Sequence, residues 1–268
     1  MLILDNNDID LAELVENKMV DLVYTSRECE ETLRISEACS RSGVLFKKHI
    51  NGWNAGIVDK KADIESAAKN LAINKFYKSG QHGDNLDVIY VNEDIYEDFL
   101  IAMKTSLFQF FQTTSAKGNL PYGKIRKPED FSRLLNMLKI TTHGGKFETS
   151  IVFDEKKMIL NPVLIKNPNL TSSVMTQKIN GPILPIQTYK KLTDIADSVN
   201  KHNHIENLYF FSNNKFSFET VGKTFKYQNL YLNCTNDPFP LNIFPDYGRH
   251  TTMNNSLNGE YSVNTFSK

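Results

Sequence analysis

Residues 75–91, KFYKSGQHGDNLDVIYV, have the form of a setting for a reactive side chain. A helix-like run leads into Gly80 and Gln81. A polar turn carries His82, Gly83 and Asp84, and an apolar run follows. The stretch looks like the setting built around a reactive cysteine, whose thiolate is a nucleophile. It holds no cysteine. The three cysteines of the chain, Cys29, Cys39 and Cys234, are scattered, with no metal or disulfide spacing. Relocating the chemistry to one of them requires a base and oxyanion donors beside it. His82 is next to the turn's centre, but imidazole does not replace a thiol, and a polar loop residue is its plain reading. His49 ends an apolar run and could serve as a base near neutral pH; a structural or exposed strand-end histidine is the simpler account. His202 to His204, HNH, reads as a polar helix end without a third metal ligand at suitable spacing.

The elements that must hold this turn are legible from pattern. Residues 20–26 read as a buried strand, 27–42 as a helix and 43–50 as a second strand, which makes a strand–helix–strand unit. Residues 63–79 keep Ile64, Ala67, Ala68 and Leu71 on one helical face, with Asp63 to cap the start and Gly80 to end it. Residues 86–91 form a strand, 94–111 a helix, and 127–139 a helix with Pro128 in its first turn. Strands are predicted at 149–153, 158–165 and 181–189, the last with Pro185 marking an edge or an irregularity. A helix at 190–203, a strand at 207–212, a short helix at 214–223 and a strand at 226–233 complete the order. Strands and helices alternate, so the fold class is α/β. Residues 234–268, rich in Asn, Pro, Thr and Ser, read as an extended tail that reaches another subunit.

Composition narrows the class. The chain has 268 residues, 40% hydrophobic and 23% charged, with 31 basic residues against 31 acidic ones. That size fits one large domain or two small ones. The balance gives no electrostatic reason to bind nucleic acid or an anionic membrane. The first residues, MLILDNNDID, are too acidic and too briefly apolar for a signal peptide. No stretch approaches the roughly 20 apolar residues of a membrane span. A reducing, cytoplasmic setting is the expectation.

Four strings, in order and at matching spacing from about Leu22 to Lys268, resemble the aldehyde dehydrogenase superfamily, and most closely its class 3-like branch for fatty and aromatic aldehydes. AAKNLAINKFYKSGQ is similar to the helix before that family's Gly-Gln-x-Cys turn. VMTQKINGPILPI, residues 174–186, looks like its Glu-x-Phe-Gly-Pro-Ile-Leu-Pro segment. LYFFSNN, residues 208–214, resembles its Leu-Tyr-Val-Phe-Ser strand, and the ending VNTFSK its Phe-Asp-Thr-Phe-Ser. The resemblance implies the C-terminal half of that fold, N-terminally truncated. Residues 1–51 would be the remnant of a Rossmann-type coenzyme domain, 52–235 the catalytic α/β domain, and 236–268 an oligomerisation-type tail. The first half would carry most of the coenzyme sheet, the oxyanion-holding Asn and a coenzyme-binding Lys.

Position by position, the resemblance implies a degenerate site. Gly80 and Gln81 are kept, and Gly83 takes the nucleophile's place, where no side chain exists to form an adduct. The family's general-base Glu falls on His49, or on Lys48 if the match shifts by one residue, and one of its glycines falls on Asn51. The phosphate-binding Gly-Ser-x-x-x-Gly matches SRECEE, so Ser26 and Glu31 stand for glycines around Arg27. Glu28, Glu30 and Glu31 favour a helix start but repel a diphosphate. The ribose-binding Glu matches Lys178, a donor-only ammonium, and the neighbouring Phe matches Asn180. In the Gly-rich loop near the end, only Pro245 and Gly248 persist. The resemblance therefore implies a family member without dehydrogenase activity and with no bound NAD(P). It would either be an interaction partner of active homologues, in a homo-oligomer or a hetero-oligomer with a full-length aldehyde dehydrogenase, or have no selected role. The alternative is residual NAD(P)-dependent oxidation of an aldehyde, alone or with a full-length paralogue.

Overall fold

A computed structural model of the chain describes residues 10–17, 20–25, 30–48, 52–116, 122–141, 144–202 and 205–236; for Glu30, Glu31, Lys48 and residues 110–116 the description stops at the backbone. Two compact units divide at Asn51/Gly52. In the first, helix α1 (Leu11–Glu16) is capped by the Asp10 carboxylate, which accepts from the Ala12 N–H at 2.9 Å. Strand β1 (Leu22–Thr25), helix α2 (Glu30–Ser42) and strand β2 (Leu45–Lys48) follow. β1 and β2 pair in parallel, Leu22 opposite Leu45, as the strand–helix–strand pattern implies. Val15, Ala38 and Cys39 form the small core, and Arg34–Asp10 and Arg41–Glu16 ion pairs join the two helices.

The second unit is built on seven strands. In chain order its elements are β3 (Trp53–Val58), α3 (Ile64–Phe76), β4 (Val88–Asn92), α4 (Tyr96–Ala116), α5 (Pro128–Thr141), β5 (Lys146–Phe147), β6 (Phe153–Asp154), β7 (Ile159–Leu160), β8 (Val163–Lys166), α6 (Ser173–Thr176), β9 (Ile183–Tyr189), α7 (Ala196–Asn200), β10 (Ile205–Phe211), α8 (Lys215–Thr224) and β11 (Asn229–Leu232). The sheet order is β11-β10-β3-β4-β9-β8-β5, parallel except for β5, while β6 and β7 make a separate antiparallel pair. Because side chains alternate along a strand, each strand serves two cores. Ala55, Ile57, Val88, Tyr90, Leu208 and Phe210 face one, closed by α5, α7 and α8. Val58, Ile89, Val91, Tyr209 and Phe211 face the other, closed by α3 and α4. Both faces are covered, which is why these strands read as unbroken apolar runs.

Several expectations need correction. The central strand β3 is absent from the pattern reading, because Asn54, Ala55 and Gly56 are weak strand formers; burial on both faces overrides that preference. The helix expected over 63–79 ends at Phe76. Lys78 and Ser79 then adopt left-handed angles, φ 51° and 57°. Pro185 does not mark an edge, since β9 lies between β4 and β8. Val163 N–H donates to Pro182 O and Asn167 N–H to Ile186 O, so the even positions of β9 face β8 and Pro185 faces β4. The β4 ladder begins only at Ile186, and the missing donor falls one residue before it. Of the strand expected at 149–153 only Phe153 is strand, as the start of β6; β5 lies before it at Lys146–Phe147. The helix expected at 190–203 is a short 3-10 turn, Leu192–Ile195, followed by α7. The tail beyond Asn236 lies outside the described residues.

Candidate functional site

The 80–87 turn lies where the parallel strands begin, between the end of α3 and the start of β4. Gly80 opens it with φ +67°, a left-handed angle that glycine adopts without a Cβ penalty. A Cβ there would also overlap the Gly181 carbonyl. Gly80 is therefore fixed twice, by its angle and by its neighbour. Lys78, Ser79 and Gly80 make a short left-handed segment, with the strain of Lys78 and Ser79 offset by contacts. The Ser79 hydroxyl bonds the carbonyl oxygens of Tyr122 and, at 2.6 Å, Gly123. Gln81 donates to Lys124 O at 2.9 Å and accepts from the Arg126 N–H at 2.9 Å.

Side chains from the surrounding elements bind the turn's carbonyl oxygens. Asn85 donates to Gly80 O and, at 2.6 Å, to His82 O. Asn54, in β3, donates to Asn85 O at 3.0 Å and Gly83 O at 3.4 Å. Tyr209 reaches Asp84 O at 3.4 Å, and Lys75 reaches Leu86 O at 2.6 Å. Asn74 accepts from the Leu86 N–H at 3.0 Å. The amide chain runs on across neighbouring strands. Asn207 donates to Asn54 Oδ1 at 2.9 Å, and Asn229 donates to Asn207 Oδ1 at 3.0 Å. Buried polar groups are costly unless paired; here they are paired mainly with this turn.

Gly83 sits in the turn with its carbonyl held by Asn54. Among the described residues the glycines with positive φ are Gly43, Gly80 and Gly123, so a side chain at 83 meets no left-handed backbone. His82 accepts the Asp84 N–H at its Nδ1, 3.3 Å away, and its ring lies 6.3 Å from that of Tyr77. Lys178 donates to Asp87 Oδ2 at 2.6 Å, and Asp87 is fully buried. Asp87 also accepts the Asn54 N–H at 2.9 Å through the same oxygen. Asn180 stands two residues on, exposed, with φ 45°. The structure thus brings Gly83, Gln81 and Lys178 to one end of the sheet. Sequence reasoning missed Asn54, Lys75 and Asp87, which organise that end. Asn54 and Asp87 are polar residues set within apolar runs, WNAGIV and LDVIYV, whereas Lys75 sits in α3 and its role arises only from contact across the fold.

The other candidates stand apart. Ser26, Arg27, Cys29, His49, Asn51, His204, Pro245 and Gly248 lie outside the described residues, as do the side chains of Glu31 and Lys48. Burial raises the pKa of Cys39 inside the first unit's core, and desolvation raises that of Cys234 after β11. Neither thiol is activated. His202 stacks on Trp53 with ring centroids 3.8 Å apart, and burial lowers its pKa against the pull of Asp87. Among the described residues no group of three His, Cys, Asp or Glu could hold a metal ion.

The described residues thus form an α/β fold in which a doubly covered, mostly parallel sheet holds a Gly-Gln turn at its strand starts. The comparisons give its family. The model of the aldehyde dehydrogenase family matches residues 3–268, and the chain belongs to that family. It is 26% identical over 236 residues to the 4,4'-diaponeurosporen-aldehyde dehydrogenase of Staphylococcus aureus, covering 87% of this chain and 50% of that one. It is 27% identical over 207 residues to the dimeric NADP-preferring aldehyde dehydrogenase of Mus musculus, covering 76% and 44%. Family 3 members are among the further relatives. The solved substrate-bound state of Staphylococcus aureus AldH superposes with a TM-score of 0.73 at 25% identity, over 84% of this chain and 48% of that one. The chain spans about half the length of the curated relatives it matches. No helix among the described residues is long and apolar enough to cross a membrane.

Proposed function

We propose that this chain is a catalytically silent member of the aldehyde dehydrogenase family that serves as an interaction partner of active homologues. The observation that carries the reading is Gly83. The family's adduct forms on a cysteine sulfur at this place, and glycine offers no atom for it. The turn around it is nevertheless held by Asn54, Lys75, Gln81 and Asn85, so loss of the nucleophile has not brought loss of the scaffold.

The family's coenzyme is NAD(P), and the residues present do not fit it. Where a carboxylate would accept the ribose hydroxyl protons, Lys178 offers only donors, and its ammonium is engaged by Asp87 at 2.6 Å. Asn180 replaces the aromatic neighbour. The sequence from Ser26 to Glu31 sets three acids, Glu28, Glu30 and Glu31, against one cation, Arg27, where a diphosphate would bind.

The test is direct. Purified protein is incubated with a panel of aliphatic and aromatic aldehydes and NAD+ or NADP+. No saturable NAD(P)H formation is expected; saturable formation by homogeneous protein overturns the reading. The alternative, residual oxidation with a full-length paralogue, predicts activity in the mixture above that of the paralogue alone. For the partner role, co-purification with a full-length family member is expected and should weaken when residues 235–268 are deleted. A monodisperse monomer that ignores every full-length homologue supplied would remove that part of the proposal.

A further inference from the structure

Lys75, in α3, is fully buried, and its ammonium donates to Leu86 O at 2.6 Å. Its ammonium holds the far end of the turn, and its backbone runs beside the near end. Its own carbonyl oxygen lies 3.1 Å from where a Cβ of Gly80 would stand. Beside Leu86, the Asp87 carboxylate is buried as well. Its Oδ2 takes the Asn54 N–H and the Lys178 ammonium, whereas its Oδ1 has no hydrogen-bond donor. One carboxylate thus faces two ammonium groups. When both are protonated, one positive charge in the cluster is uncompensated. When Lys75 is neutral, the cluster is balanced.

Burial disfavours an uncompensated charge. It lowers the Lys75 pKa to about 7; Asp87 opposes this and Lys178 adds to it. The charged groups acting on Lys75 are Asp87, just before β4, and Lys178, in the segment before β9. His202, after α7, interacts with Asp87 from a third direction.

We propose that Lys75 is a positioning residue whose ammonium pins the 80–87 turn, so that protonation of this one side chain selects between two settings of the turn. In the charged setting, a charge-assisted bond holds Leu86 O, and the Lys75 charge adds to that of Lys178, the ion-pair partner of Asp87. In the neutral setting, the amine donates a weaker bond to Leu86 O, and the Lys178–Asp87 pair stands without a second buried cation. The pin acts on backbone. It operates whether residue 83 is glycine or cysteine, and so does not depend on the chain being silent.

The test is NMR of the full chain with labelled lysine and glycine, followed from about pH 5.5 to 9.5. The Lys75 Cε resonance and the Gly80 and Gly83 amides are expected to share a midpoint near neutral pH. Lys75→Met should abolish the step at the glycine amides, and His202→Gln should leave it in place. A Lys75 that stays charged above about pH 9 overturns the proposal. So do glycine amides that stay flat through its titration, a step that survives Lys75→Met, or one that His202→Gln removes. If Lys75→Met does not fold, Lys178→Gln replaces it. Removing the repelling ammonium should move the shared midpoint up by about half a pH unit or more, and an unmoved midpoint is a negative result.

Discussion

At residue scale, the vacant place and its support behave differently under substitution. Gly83 carries no left-handed angle, so Gly83→Cys should fold with a melting temperature within about 2 °C of the parent. Its thiol should titrate with Ellman's reagent, yet NAD(P)H should still not form, because Lys178 and the coenzyme side are unchanged. Turnover by this variant would show that the coenzyme side is intact. Gly80 is the opposite case. Gly80→Ala must place a Cβ in the Gly181 carbonyl at a positive φ, which should cost about 3 kcal/mol or more in urea unfolding. Asn54→Ala leaves Gly83 O, Asn85 O and the Asn207 side-chain amide without a partner. At roughly 1–3 kcal/mol for each buried group left unpaired, a loss of about 3 kcal/mol is expected. A loss under about 1 kcal/mol would mean that the amide chain is not a principal tie of the turn.

At the scale of elements, the strained link between α3 and the turn gives a stabilising change. Lys78 has φ 51° and its side chain does no more than lie over the Tyr77 ring. Lys78→Gly relieves the left-handed penalty while keeping the Lys78 carbonyl that Gln81 uses, so a gain of about 0.5–1 kcal/mol is expected. Ser79→Ala, in the same conformation, should lose stability, since two carbonyl oxygens depend on its hydroxyl. This contrast also shows what the pattern could and could not reveal. The periodicity of Ala67, Ala68 and Leu71 makes α3 plain, but the helix stops at Phe76, four residues short of the Gly80 limit that the pattern suggests. The left-handed residues between Phe76 and Gly80 left no trace, because neither Lys nor Ser advertises a positive φ. β3 hid behind Asn54 and Gly56 for a related reason. Gly56 has only about 3 Å between an added Cβ and Leu71, so the sheet's centre needs a residue that propensity disfavours. Gly83 and Lys178 can be proposed as site positions from the sequence because the matching strings fix their spacing. Asp87 and Lys75 were not, because their roles arise from contact across the fold.

At the scale of the whole molecule, buried titratable groups shape the response to pH. The Lys75 pKa is depressed from 10.5 to about 7, so between these values the unfolded chain binds the extra proton. Stability therefore rises with pH across this window and falls as pH drops toward 7. At roughly 1.4 kcal/mol per pH unit for one proton, the upper bound is several kcal/mol. Burial raises the pKa of Tyr90, Tyr96, Tyr189 and Tyr209. Above about pH 10 the unfolded chain loses those protons first, and stability falls again. Thermal melts should thus peak near pH 9 to 10, and the rising limb should flatten in Lys75→Met. The Gly80–Gly181 approach has a kinetic consequence. The two residues are far apart along the chain, and the turn cannot be clamped until the entry to β9 has docked. Loop closure of that span is a late event, so the Gly80→Ala penalty should fall almost wholly on the unfolding rate. During synthesis the turn would stay unset until the second half of the chain has emerged, the interval in which an assembling partner would meet it in its most pliable form.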